Sequence, residues 1–295
     1  MTSDRPTAAA AGTLKLGDHL TINRLGFGTM RLTGPGNWGP PRDPHQAIAV
    51  LRRAVELGVT FIDTADSYGP FIAEELIRTA LHPYPADLVV ATKAGFLRTR
   101  PDRTNTPSPA SWTPLGKPEY LRQQVEMSLR RLGTECIQLF QLHRIDPDYP
   151  LADQVGELAD LKAEGKIGLI GLSEVSVDQL EEALQITPIA SVQNLYNLTA
   201  RDAEPLVNVC TQLGIAFIPW FPLGAGPLAA SDGPLRKIAA AHHASSSQLA
   251  LAWLLARSPI MLPIPGTSSL EHLDENIAAA AVTLTDDDLK ALSAL

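Results

Sequence analysis

The chain is short of cysteine, of basic clusters and of long apolar runs, and each shortage excludes something. Only Cys136 and Cys210 occur among its 295 residues. Neither lies in a CxxC or a metal-ligand spacing, which argues against a disulfide framework and a thiolate metal site. Their apolar neighbours, in ECIQLF and VNVCTQLG, predict buried free thiols, as a reducing compartment allows. No stretch reaches the roughly 20 apolar residues of a membrane span. No Lys/Arg run stands out and the net charge is −8, so nucleic acid is not an expected partner. The opening MTSDRPTAAAAG carries an acid and no apolar run. It reads as a flexible tail over residues 1–12, not as a signal peptide, and the expected location is the cytoplasm.

What is present is an alternation. Eight short runs are apolar without a polar face, as strands covered on both sides are. They are NRLGFGTM (23–30), VTFIDT (59–64), LVVATK (88–93), CIQLFQLH (136–143), IGLIGLS (167–173), IASVQNL (189–195), IAFIPWF (215–221) and IMLPIPG (260–266). Between them lie helical segments such as 45–57, which gathers Ile48, Leu51, Ala54 and Val55 on one face. Segments 118–132, 151–164 and 202–213 run into Gly133, Gly165 and Gly214, the glycine stop of a helix. Eight strand–helix units in this length predict an α/β fold, a single (β/α)8 barrel over residues 13–295. An open doubly wound sheet is disfavoured, because GFGTM lacks a full G-x-G-x-x-G. TLKLGDHLTIN (13–23) predicts a hairpin turning at Gly17-Asp18 and covering the barrel's bottom, and 234–257 adds extra helices.

Active sites of such barrels lie at the C-terminal ends of the strands. There the chain places Asp63, Lys93, His143, Ser173, Gln193 and Asn194, with Tyr68 in the loop after Asp63. Singly, each has a bland reading as a cap, a structural histidine or a solvated cation. Together, Tyr68, Lys93, His143 and Asp63 make a proton-donating set. A tyrosine hydroxyl near pKa 10 is a reluctant donor, and a lysine held beside it by an aspartate is expected to lower that value. His143 is placed to orient a substrate oxygen. The set lacks a hydride source, so a reductant is required.

LGFGTM, FIDTADSYG, ATKAG, QLHRID, IGLIGLS, SVQNLYN and IPGTSSLEHLDEN, in that order, resemble the aldo-keto reductase superfamily over nearly the whole barrel. The resemblance implies an NADP(H)-dependent enzyme that reduces a small-molecule carbonyl. It makes Tyr68 the general acid and Asp63, Lys93 and His143 its partners. It sets Gly28, Thr29 and Met30 along the nicotinamide ribose, Ser173 and Gln193 on the carboxamide, and Trp220 on the nicotinamide ring. It gives Phe221, Leu223 and Gly224 to the pyrophosphate. Gly266, Thr267, Ser268, Ser269 and His272 then face the 2′-phosphate, and Glu275 and Asn276 the adenine. No metal is implied.

Departures matter too. Glu174 stands where the family often has Asn, and few basic residues surround the expected 2′-phosphate site. The sequence ends with TDDDLKALSAL, and the segment 95–118 is expected to stand in for a C-terminal substrate loop. Trp38 and Trp112 are candidate walls for an aromatic substrate. Arg98, Arg100 and Arg103 read as solvated charges or as contacts to an anion. MRLTGPGNWGPP together with IPGTSSLEHLDEN resembles the pyridoxal reductase-like branch. Two alternatives stay open: a class I aldolase with Lys93 as Schiff-base lysine, and a slowly turning NADPH-binding regulatory protein.

Overall fold

A computed structural model describes residues 6–102, 111–224 and 234–294. The predicted hairpin is β1 (Thr13–Leu16) paired antiparallel with β2 (Leu20–Asn23). Leu16 and Ile22 are buried, and a Cβ added at Gly17 would come within 2.8 Å of Leu169, so the ribbon packs on the barrel's lower end. The tail expected over 1–12 is ordered at its end. Ala8–Ala11 makes a 3-10 turn, Ala8 N–H donates to the Leu57 carbonyl at 2.9 Å, and Ala8 is buried. Residues 1–5 lie outside the described residues.

The barrel strands are β3 (Phe27–Gly28), β4 (Phe61–Asp63), β5 (Val89–Ala94), β8 (Ile137–Leu142), β9 (Ile167–Ser173), β10 (Ser191–Gln193) and β11 (Ala216–Phe217), parallel and hydrogen-bonded in that order. The intervening β6 (Phe96–Arg98) and β7 (Trp112–Pro114) form a separate antiparallel ribbon inside the segment 95–118. Residues 103–110, and with them Arg103, lie outside the described residues.

The eighth run, 260–266, differs from a regular strand but closes the barrel. Phe217 N–H donates to Ile260, Leu262 N–H to Phe217, and Gly26 N–H to Pro263, each at 2.9 Å. Pro263 and Pro265 have no N–H to return, so the ladder cannot be completed on that side. A (β/α)8 barrel results, with the N-terminal hairpin below it.

Side chains cap the free N–H groups at the start of some helices, and glycines end others. In α1 (Pro44–Glu56) Asp43 accepts from Gln46 N–H and proline opens the first turn. The other helices between strands are α2 (Ile72–Leu81), α3 (Pro118–Leu132), α4 (Leu151–Ala163), α5 (Val177–Leu184) and α6 (Glu204–Leu213). Gly133 and Gly214 close α3 and α6 in left-handed conformation, at φ 70° and 69°. The extra helices are α7 (Pro234–Ala241) and α8 (Ser246–Arg257), followed by α9 (Leu270–Ala278) and α10 (Asp286–Ser293). Among the described residues, no helix is long and apolar enough to cross a membrane.

Register brings the polar strand ends together. Gly28 lies beside Asp63, Asp63 beside Ala91, Lys93 beside Gln141, and Ser173 beside Gln193.

Candidate active site

Asp63, at the end of β4, sits at the centre of a buried polar cluster. Lys93 Nζ donates to Asp63 Oδ2 at 2.7 Å, to the Thr64 carbonyl at 2.9 Å and to the Tyr68 hydroxyl at 3.2 Å. The other carboxylate oxygen accepts from Gln193 Nε2 at 2.9 Å and from Gln141 Nε2 at 3.2 Å. Lys93 is fully buried, so its charge persists only because these acceptors compensate it. Burial pulls the ammonium down, Asp63 and Tyr68 push it up, and the net direction is up. With Asp63, Thr64 and Tyr68 all accepting from its ammonium, Lys93 is engaged as a proton-holding partner, which argues against the aldolase alternative.

Lys93 also pulls the Tyr68 hydroxyl down, as the sequence suggests. Burial outweighs it, however, and together with Asp63 leaves Tyr68 above 10.0. The phenol therefore stays protonated at neutral pH. His143 meets Tyr68 edge-on, with ring centroids 5.8 Å apart, and its Nδ1 lies 3.2 Å from Ser67 Oγ. Burial, then the charges of Lys93, Arg144 and Arg98, hold His143 well below 6.5, so the imidazole is neutral. Ser67 and Gln141 were not singled out from the sequence. Gln141 carried a signal, since it lies two residues before His143 in one extended run. Ser67, in a loop, carried none.

A cavity of about 600 Å³ opens above this cluster. It is lined by Asp63, Tyr68 and His143, and by Gly28, Thr29, Met30, Ser173, Gln193, Trp220, Phe221, Leu223, Gly224 and Gly266 among the expected cofactor residues. Unanticipated lining residues include Arg31, Phe96, Arg144, Leu195 and Ile264. A side chain at Gly28 would come within 2.7 Å of the Ile264 carbonyl, and one at Gly266 within 2.6 Å of the Gly28 carbonyl. Glycine at both positions lets the two backbones pass close together along the cavity wall.

The remaining expected cofactor residues start α9 outside that lining. Ser269 Oγ caps the helix by accepting from His272 N–H, and Thr267 Oγ1 accepts from Ser269 N–H. The Glu275 carbonyl accepts from Gln248, and Asn276 is buried. Trp112 lines the cavity beside Phe96, at a centroid distance of 5.4 Å, while Trp38 does not line it. The Trp38 ring lies 5.6 Å from the Arg98 guanidinium. Arg98 itself is neither solvated nor open: its side chain is 2% exposed, pairs with Asp102 and packs 3.8 Å from the Trp112 ring. Glu174 Oε1 accepts from Trp220 Nε1 at 2.5 Å and from Leu195 N–H at 2.7 Å, so it anchors the tryptophan.

Residues 24–295 match the aldo/keto reductase family along their whole span. The chain belongs to that family. It is 51% identical over 280 residues to an uncharacterized oxidoreductase of Schizosaccharomyces pombe, covering 95% of this chain and 88% of the relative. It is 42% identical over 282 residues to the pyridoxine 4-dehydrogenase of Escherichia coli, covering 93% and 95%. A crystal structure of an aldo-keto reductase from Klebsiella pneumoniae in complex with NADPH superposes with a TM-score of 0.77 at 27% identity, over 95% of this chain and 93% of that one. This aldo-keto reductase thus shares the barrel and the order of its elements with proteins of that family.

The donor set fits a dinucleotide. The cavity runs from the tetrad past a stackable indole to the backbone turn at Phe221–Gly224, and Arg31 lies at the Gly266 end. The capped start of α9 offers further N–H groups and a partial positive charge, which suit a phosphate.

Proposed function

We propose that this protein is an NADP(H)-dependent reductase of aromatic aldehydes of the pyridoxal type, with Tyr68 as proton donor. One observation carries the reading. The Tyr68 hydroxyl faces the cavity from a buried position 3.2 Å from Lys93 Nζ, so a carbonyl oxygen bound there is able to take its proton. When bound, the nicotinamide supplies the hydride. Gly28, Thr29 and Met30 would lie along its ribose, Ser173 and Gln193 would hold the carboxamide, Trp220 would stack on its ring, and Phe221, Leu223 and Gly224 would take the pyrophosphate. The α9 start, Gly266 to Ser269 with His272, would take the 2′-phosphate, with Glu275 and Asn276 at the adenine.

His143, neutral, is able to hydrogen-bond the carbonyl oxygen and aim it at the phenol. Tyr68 then protonates that oxygen, and Lys93 compensates the developing phenolate in a site of low dielectric. Phe96 and Trp112 supply flat apolar walls that suit an aromatic ring. The name of the Escherichia coli relative, pyridoxine 4-dehydrogenase, supports an alcohol–aldehyde couple on a pyridine ring. Residues 13–295 act as one domain. The thiols are free, Cys210 buried as expected and Cys136 exposed, and free thiols suit the cytoplasm.

The test is loss of nicotinamide absorbance with NADPH and a carbonyl panel that includes pyridoxal and a nitrobenzaldehyde. Turnover that collapses in Tyr68→Phe supports the mechanism. Tight NADPH binding without turnover on any carbonyl would replace it with the regulatory reading.

A further inference from the structure

We infer that Ser67 is a positioning residue for the reaction: its hydroxyl donates to His143 Nδ1 and so keeps the imidazole proton on Nε2, the nitrogen left to a substrate oxygen. The inference deepens the proposed function and rests on it. A neutral imidazole carries one N–H, and a carbonyl oxygen takes a hydrogen bond only from the nitrogen that holds it. Which nitrogen that is depends on what the other one meets.

The surroundings of His143 leave Ser67 to decide. The ring meets Phe96, Tyr68 and Trp112 edge-on, at centroid distances of 4.8, 5.8 and 6.1 Å. Its Nδ1 lies 3.2 Å from Ser67 Oγ, and among the described residues this is the ring's one hydrogen-bond partner. Both ends of that contact are fixed. The His143 N–H donates to the Ala94 carbonyl at 2.8 Å. Ser67 is buried, its carbonyl accepts from Arg98 Nη1 at 2.9 Å, and the preceding Asp66 N–H donates to the Lys93 carbonyl at 3.0 Å. The loop is thus tied to β6 on one side and to β5 on the other, which holds the hydroxyl against the ring.

A hydroxyl both donates and accepts, so the direction of the bond matters. The reverse bond, from Nδ1–H to Oγ, requires a second acceptor for the Ser67 proton. Asp66 is the rival acid, since Ser67 pulls its carboxyl down. Burial first, then Glu74, nevertheless hold that carboxyl well above 3.8. Once protonated, it lacks the charge that would make it the stronger acceptor. The imidazole nitrogen then takes the Ser67 proton, and Nε2–H remains for the cavity that His143 lines.

Long-range proton–nitrogen NMR of the NADP⁺-loaded protein, labelled at the histidine nitrogens, reads the tautomer directly. The His143 signal is the one absent from His143→Asn. The wild type is expected to show Nε2–H alone. Ser67→Ala, which loses one oxygen atom, should show both tautomers, and Ser67→Thr, which keeps the hydroxyl, should restore the wild-type pattern. With NADPH and pyridoxal, kcat should fall roughly three- to tenfold in Ser67→Ala, the range for one lost hydrogen bond, while the dissociation constant for NADPH stays within about twofold. Nδ1–H in the wild type overturns the inference, as does Nε2–H alone in Ser67→Ala. A mixture that persists in folded Ser67→Thr would assign the effect to loop packing and overturn it too. So would a shifted tautomer with unchanged kcat. If the tautomer follows Ser67 but no carbonyl is turned over by the wild type, the hydrogen bond stands and the reductase reading falls.

Discussion

Lys93 and Asp63 form an ion pair at 2.7 Å with side chains 0% and 2% exposed. Removing one partner strands the other's charge in the barrel. Lys93→Met and Asp63→Asn should each cost about 3–5 kcal/mol of stability, the usual penalty for breaking a buried pair. The double variant should cost clearly less than the sum, because neither charge remains. Denaturant unfolding of the four proteins checks this; additive losses would mean the pair is not coupled.

Tyr68→Phe should lower kcat for carbonyl reduction by roughly 10²–10⁴, the range for removing a general acid. Burial also predicts a pH profile. With Tyr68 raised above 10.0, reduction by the wild type should show no fall assignable to phenol ionisation below that pH. A midpoint near neutrality that vanishes in Tyr68→Phe would contradict the environment described.

Trp112 forms an apolar wall with Phe96 and is held from behind by Asp102, which accepts from its indole N–H at 2.9 Å. Trp112→Ala should raise KM for pyridoxal by about tenfold, the loss of part of an aromatic contact. The dissociation constant for NADPH should move much less. Equal losses of both would indicate collapse of the β6–β7 ribbon rather than loss of a substrate wall.

Asp66 is 1% exposed, and its Oδ1 has no hydrogen-bond partner among the described residues. Burial first, then the nearby Glu74, hold it well above 3.8, against the pull of Arg131. A carboxyl raised on folding stabilises fully below its unfolded pKa, and that contribution is lost as pH rises toward the folded one. Asp66→Asn should therefore raise the melting temperature at neutral pH by a few degrees, for a gain of about 1 kcal/mol. The advantage should shrink toward pH 3.8, the ordinary value for the group. A variant less stable at neutral pH would show that the carboxyl has a partner it needs.

The dissociation constant for NADPH should lie at least about tenfold below that for NADH, as one added phosphate held at a helix N-terminus warrants. Direct titration of both decides it, and equal values would remove the preference.

Much of the barrel was legible because buried parallel strands are apolar throughout and glycine stops helices at fixed places. The convergence of Asp63, Lys93 and His143 was legible through strand-end position, and that of Tyr68 through the loop that follows Asp63. The eighth strand was over-read, because an apolar run says nothing of hydrogen bonds that Pro263 and Pro265 cannot donate. The environment of Tyr68 was half-read: Lys93 acts as expected, but the depth of burial that outweighs it is a property of the assembled site.

The sequence by itself determined the number of units, the position of Asp63, Lys93 and His143 at strand ends, and the glycines where backbones must pass closely. These follow from local pattern, which each segment carries alone. The tertiary structure decided who pairs with whom. It turned the Gln193 amide onto Asp63, set Ser67 on His143, sealed Arg98 against Asp102 and fixed Glu174 between Trp220 and Arg144. Apart from Arg98 and Asp102, which are local neighbours, those contacts join residues up to 130 positions apart in the chain, and only barrel closure brings them together.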